Sequence, residues 1–200
     1  MSSTPRKRRT PEQARALILD AAEARLRRLG LDGLNVTGVA EDAGLSHASV
    51  IHHFGNTAGM RGALAERMTQ ALVADIVKAL RSDTEPALVI RALFQAMIGG
   101  GHARLLAWRS LHDALSEEES AKDEATQALF RELLAQTTAR FGDRDNEEVR
   151  RCILLIASSA IGFGVAGPML PLLLGEGDFD ADVFSGWLSD LLLTGDDEGA

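Results

Sequence analysis

Three histidines fall within seven residues, His47, His52 and His53, and a run of four cations, Arg6-Lys7-Arg8-Arg9, lies upstream of them. Imidazoles can ligate a metal, shuttle a proton or meet a phosphate, and clustered Lys and Arg meet phosphates or stay in water. A metal site needs further ligands at the right spacing. No Cys or carboxylate stands between His47 and Phe54 to complete one, so neither a metal nor another cofactor is expected.

Ser110, His112 and Asp113 supply the residue types of a nucleophilic triad. His112 and Asp113 are adjacent helical positions that face different ways, and no nucleophile elbow surrounds the serine. Gly99-Gly100-Gly101 lacks the Lys-Ser/Thr pair of a phosphate-binding loop and reads as a helix break. The chain is not read as an enzyme. Phosphate contact is the chemistry left for the histidines and the basic run. Phosphate favours imidazolium, so binding through these histidines is expected to strengthen below about pH 6.5.

The elements that must carry these residues are all helices, because apolar residues recur at helical spacing and no stretch alternates as a strand does. Thr10-Pro11-Glu12-Gln13 opens the first helix with a capping box and a proline at the first helical position. Ala14, Ile18, Ala22, Leu26 and Leu29 form its apolar face, and Gly30 is expected to end it. Asn35 caps a short helix over 36–43, Gly44-Leu45 turns the chain, and Ser46 caps a second short helix over 47–54. Asn56 caps a longer fourth helix. Ala40, Ala43, Gly44, Leu45 and Val50 supply the close approach, the turn and the apolar plugs of a helix-turn-helix. Beyond residue 82, helices are expected over 85–98, 101–116, 118–141, 146–166 and 179–194, about nine in all. The domains follow: a flexible basic arm over 1–9, a three-helix unit over 10–56, a helical body over 57–195 and an acidic tail over 196–200.

Charge supports that division. The 200 residues carry a formal net charge of −8, which alone argues against nucleic acid. Residues 1–60, however, hold 8 Lys and Arg against 6 Asp and Glu, and residues 61–200 hold 13 against 23. A mildly basic head is joined to an acidic body. One cysteine, Cys152, excludes an internal disulfide framework and suggests a reducing compartment. Cys152 to Gly175 carries no charge, but Pro168, Pro171 and four glycines interrupt it. It is read as a buried or interfacial helix running into a loop, not as a membrane span.

A basic arm, a capped helix and a helix-turn-helix within 55 residues describe a DNA reader. Here the sequence resembles the tetracycline-repressor (TetR) family. The stretch Gly33-Leu34-Asn35-Val36-Thr37-Gly38-Val39-Ala40-Glu41-Asp42-Ala43-Gly44-Leu45-Ser46 is similar to that family's second helix and turn. The stretch His47-Ala48-Ser49-Val50-Ile51-His52-His53-Phe54-Gly55 is similar to its recognition helix. The resemblance implies a cytoplasmic homodimeric transcriptional regulator, most often a repressor, that binds operator DNA through its first domain. It also implies a small-molecule effector bound in the helical body, and a dimer interface built from the last two long helices.

Carried over by position, Thr37, His47, Ala48, Ser49 and His52 are base-reading candidates, with Ser46 beside them. Ile51, His53 and Thr57 fall at phosphate-contact positions. The family usually has Tyr where Ile51 stands and Lys where Thr57 stands; Ile offers no donor and Thr no charge. Arg6, Lys7, Arg8 and Arg9 are expected to supply backbone or minor-groove contacts instead. Phe94, Met97, Trp108, His112, Phe130 and Phe163 are the effector-binding candidates, with Arg104 and Arg109 available to orient an anion. Ile153, Ile156, Ala157, Ala160, Ile161 and Gly164, with Phe184, Trp187, Leu188 and Leu191, are the dimer-interface candidates. The competing reading is a soluble helical binding or scaffold dimer whose helix-turn-helix has lost specific operator affinity.

Overall fold

The computed structural model describes residues 10–82, 84–112, 124–140, 145–167, 169–175 and 180–194. Every regular element among them is a helix: α1 (Pro11–Gly33), α2 (Val36–Ala43), α3 (His47–Phe54), α4 (Thr57–Arg81), α5 (Pro86–Gly99), α6 (His102–His112), α7 (Glu124–Arg140), α8 (Asn146–Ala166), α9 (Leu170–Leu174) and α10 (Ala181–Thr194). The fold is all-α. Nine of these have eight residues or more, and the five-residue α9 is an element the periodicity does not reveal.

The chain divides into two compact units, one ending at Leu64 and the other beginning at Ala65. The sequence placed this boundary between 56 and 57, at the start of α4. It falls later because Met60 and Leu64 are fully buried in the first unit's core, and Arg61 ties the same turn to it. The Arg61 guanidinium donates to the Leu34 carbonyl from Nε at 3.0 Å and to the Leu31 carbonyl from Nη2 at 2.9 Å.

Within the first unit, Ile18, Ala22 and Leu26 of α1 are essentially without exposure, as are Leu34, Val39 and Val50, and α1 packs on α2 and α3. Each such aliphatic side chain withdrawn from water contributes about 1.5–3 kcal/mol. Helix α1 does not stop at Gly30. Gly30 takes φ 68° and breaks the helical path, and one further turn continues to Gly33.

Within the second unit, α5 packs on α8 and α10, and α6 and α7 pack on α8. Ile90, Phe94, Met97, Ala103, Ala160 and Leu188 form one core, and Val73, Val77, Leu80 and Leu133 another. Asp145 starts α8 by accepting the Glu147 and Glu148 amides at 2.8 and 2.7 Å. By length and composition alone, Asn146–Ala166 is apolar enough to cross a membrane.

Candidate functional site

The local chemistry of the first unit positions α3. Thr10 and Gln13 form the capping box: the Gln13 amide donates to Thr10 Oγ1 at 3.3 Å and the Thr10 amide to Gln13 Oε1 at 3.0 Å. Asn35 Oδ1 accepts from the Gly38 amide at 2.9 Å and starts α2. Gly44 then takes the left-handed conformation, φ 63° and ψ 35°, and its amide donates to the Ala40 and Glu41 carbonyls. A side chain there would be strained, so glycine sets the turn. Ser46 Oγ accepts from the Ser49 amide at 3.1 Å and starts α3.

Val50 and Phe54 anchor α3 in the core, which turns His47, Ala48 and His52 to solvent. Thr37 on α2 is also exposed, while Ser49, Ile51, His53 and Thr57 are half-buried. His47 and Ala48 are adjacent and His52 follows Ala48 by four residues, one helical turn, so the three share a face. Ser46 is exposed, with its hydroxyl oxygen already engaged as the cap. Arg6, Lys7, Arg8 and Arg9 lie outside the described residues.

Three arginines that the sequence did not single out, Arg15, Arg25 and Arg28, hold this face in place. Arg25 donates to the Gly33 carbonyl from Nε at 2.7 Å, and from Nη1 to the Gly38 carbonyl at 3.0 Å and Asp42 Oδ2 at 2.9 Å. Arg28 reaches the same Asp42 oxygen at 3.1 Å. These hydrogen bonds, Arg25 first, hold the Asp42 carboxyl below the usual carboxylate range. Arg15 places its guanidinium 4.5 Å from the centre of the Phe54 ring and donates to the His53 carbonyl at 3.2 Å. That contact sits at the C-terminal end of α3, where a cation also complements the helix dipole. Arg27 pairs with Glu23 at 2.6 Å.

Between Thr10 and Leu64 there are 5 Arg and no Lys against 6 Asp and Glu. Arg25, Arg27, Arg28 and Arg61 have internal partners, as above. Arg15 has its own in Phe54 and the His53 carbonyl, so the described residues of this unit carry no net positive charge.

The second unit has a partly open cavity of about 230 Å³ between α4, α5, α6, α7, α8 and α10. Of the effector-binding candidates, Met97 and Phe130 line it. Phe94 does not: it is fully buried in a ring cluster, 5.9 Å from both Phe163 and Phe184, which are 4.8 Å apart. Phe163 is consumed by the same cluster. Trp108 and His112 stack on each other at 4.5 Å, with His112 Nδ1 2.8 Å from the Trp108 carbonyl, and neither faces the cavity. Ser110 Oγ donates to the Leu106 carbonyl at 3.0 Å, and Asp113 lies outside the described residues. No triad geometry joins Ser110 and His112.

Residues 18–64 match the family of bacterial regulatory proteins described as the tetR family. The HTH-type transcriptional regulatory protein RaaS of Mycobacterium tuberculosis is 29% identical over an alignment of 116 residues that covers 52% of this chain and 54% of that protein. The chain thus matches about half the length of that curated relative. The fatty acid degradation regulator FadR from Bacillus halodurans shares the fold with a TM-score of 0.60, over 90% of this chain and 98% of its own, at 13% identity. NalD, the secondary repressor of the MexAB-OprM multidrug efflux pump in Pseudomonas aeruginosa, does so with a TM-score of 0.54, over 92% and 95%, at 19% identity. The first unit is thus similar to the DNA-binding unit of the tetR family, and the whole chain shares the fold of these solved regulators.

In the second unit the dimer-interface candidates divide between buried, cavity-lining and exposed positions. Ala160 has no exposure and Leu188 has 2%, so neither has surface to give a partner. Gly164 lies directly against Ala103 and Met97. Ile153, Ile156, Ala157 and Ile161 line the cavity instead of an outer face, and Phe184 belongs to the ring cluster. Of the ten interface candidates, Trp187 and Leu191 are exposed. The exposed apolar stripe of α10 is Val183, Trp187 and Leu191, at i, i+4 and i+8. On α8 it is Leu154, Leu155 and Val165. The sequence could not select these positions, because α8 is apolar on nearly every side and its periodicity names no inward face.

Proposed function

We propose that this chain is a TetR-family transcriptional repressor that binds operator DNA as a homodimer and is controlled by a small-molecule effector. The observation that carries the reading is the exposed α3 face of His47, Ala48 and His52, set by a capped helix-turn-helix inside the matched 18–64 stretch. Thr37, Ser49, Ile51, His53 and Thr57 flank that face. The basic run Arg6–Arg9 supplies phosphate contact, and the acidic remainder of the chain repels DNA from other surfaces.

The second unit supplies control and pairing. Helix α4 starts beside α3 in sequence and puts Leu72, Val73 and Ile76 on the cavity wall. A ligand that fills the cavity acts on that helix. Val183, Trp187 and Leu191 of α10, with Leu154, Leu155 and Val165 of α8, form the apolar surface that a second copy covers. Pairing sets two α3 helices about 34–36 Å apart, one turn of duplex, for successive major grooves. The protein is cytoplasmic and not an enzyme, and the apolar α8 serves the cavity and the interface.

Ile51 and Thr57, where the family usually has Tyr and Lys, favour a second reading: a helical binding dimer without operator affinity. A gel shift against the intergenic DNA flanking the gene, repeated at rising salt, separates the two. Specific binding that weakens steeply with salt supports the repressor. Absence of specific binding at every salt concentration supports the binding dimer.

A further inference from the structure

Among the described residues, the cavity lining carries no Lys, Arg, His, Asp or Glu. Arg104, Arg109 and His112, the groups available to orient an anion, are absent from it. The lining is aliphatic or aromatic except at Thr69, Thr137 and Cys152. A carboxylate or phosphate entering would shed its water and meet no cation among these described lining residues, which apolar contact does not offset.

The three exceptions are not equivalent. Thr137 Oγ1 donates to the Leu133 carbonyl of its own helix at 2.8 Å. Cys152 is a thiol, a weak donor and acceptor. Thr69 Oγ1 lies 3.2 Å from Nε2 of His102, and His102 is 2% exposed. That contact uses one of the hydroxyl's three sites, whichever imidazole tautomer is present. Thr69 can still give or receive a hydrogen bond inside the cavity. The buried imidazole fixes the hydroxyl without itself lining the cavity.

Size narrows the class further. An apolar cavity of about 150 Å³ takes up benzene. At the same packing the 230 Å³ here holds about nine or ten non-hydrogen atoms.

We propose that this cavity binds an uncharged lipophilic molecule of medium-chain size carrying one hydroxyl or carbonyl, which pairs with Thr69. The chemical class follows from the lining; its regulatory meaning rests on the effector reading above.

The test uses the full chain and three probes of similar size: n-octanol, octanoate and ethylbenzene. Binding is read by the rise in thermal midpoint and by protection of Cys152, the chain's single thiol, from maleimide. The expected result is that n-octanol stabilises and protects, and that ionised octanoate binds at least about tenfold more weakly. Thr69→Val weakens n-octanol about five- to tenfold and leaves ethylbenzene unchanged. The ethylbenzene arm also shows that the variant cavity is intact. Octanoate binding as tightly as n-octanol overturns the proposal, as does a Thr69→Val variant that binds alcohol and hydrocarbon as the wild type does. Failure of n-octanol to stabilise or protect overturns it too. DNA affinity is measured separately with n-octanol present. If n-octanol binds as expected and DNA affinity is unchanged, the ligand class stands and the effector reading fails.

Discussion

The Arg25 guanidinium occupies the space that a Cβ on Gly38 would need, and it donates to the Gly38 carbonyl at 3.0 Å. One arginine of α1 thereby reads the backbone at Gly33 and Gly38 and the side chain of Asp42, binding α1 to both ends of α2. The small residue at 38 is the condition for that contact.

Replacing Gly38 should therefore displace a side chain of the neighbouring helix. Gly38→Ala gains helix propensity worth up to about 1 kcal/mol but drives the guanidinium off its carbonyls. The expected net loss is about 1–2 kcal/mol. Urea unfolding followed by far-UV circular dichroism measures it; an unchanged or raised midpoint would mean that Arg25 relocates at no cost.

The Arg25–Asp42 contact has a pH signature. The folded state holds the Asp42 carboxyl below its ordinary value, so the native state binds this proton less readily than the unfolded chain. The stabilisation is complete above the ordinary carboxylate pKa of about 4 and disappears as pH falls through the lowered value. Asp42→Asn should be less stable than wild type at neutral pH, with the gap shrinking below about pH 4. Denaturant midpoints of the two proteins across that range check the trend.

Much of the first unit was legible because its signals are local. Thr10-Pro11-Gln13, Asn35, Ser46 and Asn56 each name a helix start, and each side chain makes the cap it implies. Gly44 names the turn. Arg25 was not legible, since nothing in the spacing of residues 25, 33, 38 and 42 declares that one guanidinium meets all three partners. In the second unit the limit is different. Ile153, Ile156 and Ile161 are as apolar as Leu154 and Leu155, and hydrophobicity does not tell a cavity wall from an outer stripe. Phe94 and Phe163 are large enough to line a pocket, yet they satisfy one another.

Pairing makes a prediction that separates exposed from buried residues on one helix. Trp187 is 54% exposed and its neighbour Leu188 is 2% exposed. Wild type should sediment as a dimer at low micromolar concentration, and Leu154→Glu with Trp187→Glu as a monomer that keeps its helical spectrum. Leu188→Ala should instead lower stability by about 2–5 kcal/mol through a core cavity. A charged pair of substitutions that leaves the dimer intact would place the interface elsewhere.

Thr57 and Ile51 give a gain-of-function test. Thr57→Lys restores a cation at the start of α4, and Ile51→Tyr restores a hydroxyl on α3. Thr57→Lys should add one phosphate contact, steepening the dependence of log affinity on log salt by about 1. Conversely, alanine at Arg6, Lys7, Arg8 and Arg9 should flatten it. Fluorescence anisotropy at several salt concentrations measures both slopes. An arm variant with the wild-type slope would remove the arm from the DNA contact.

In the proposed function, paired α3 helices read sequence through His47, Ala48 and His52. Selection from a random duplex library, with wild type and His52→Ala run side by side, tests this directly. Wild type should enrich an inverted repeat whose half-sites lie about 10 base pairs apart or a multiple of it. His52→Ala should change the preference at one symmetric position in each half-site. Enrichment of no sequence by wild type, or the same motif from both proteins, would contradict it.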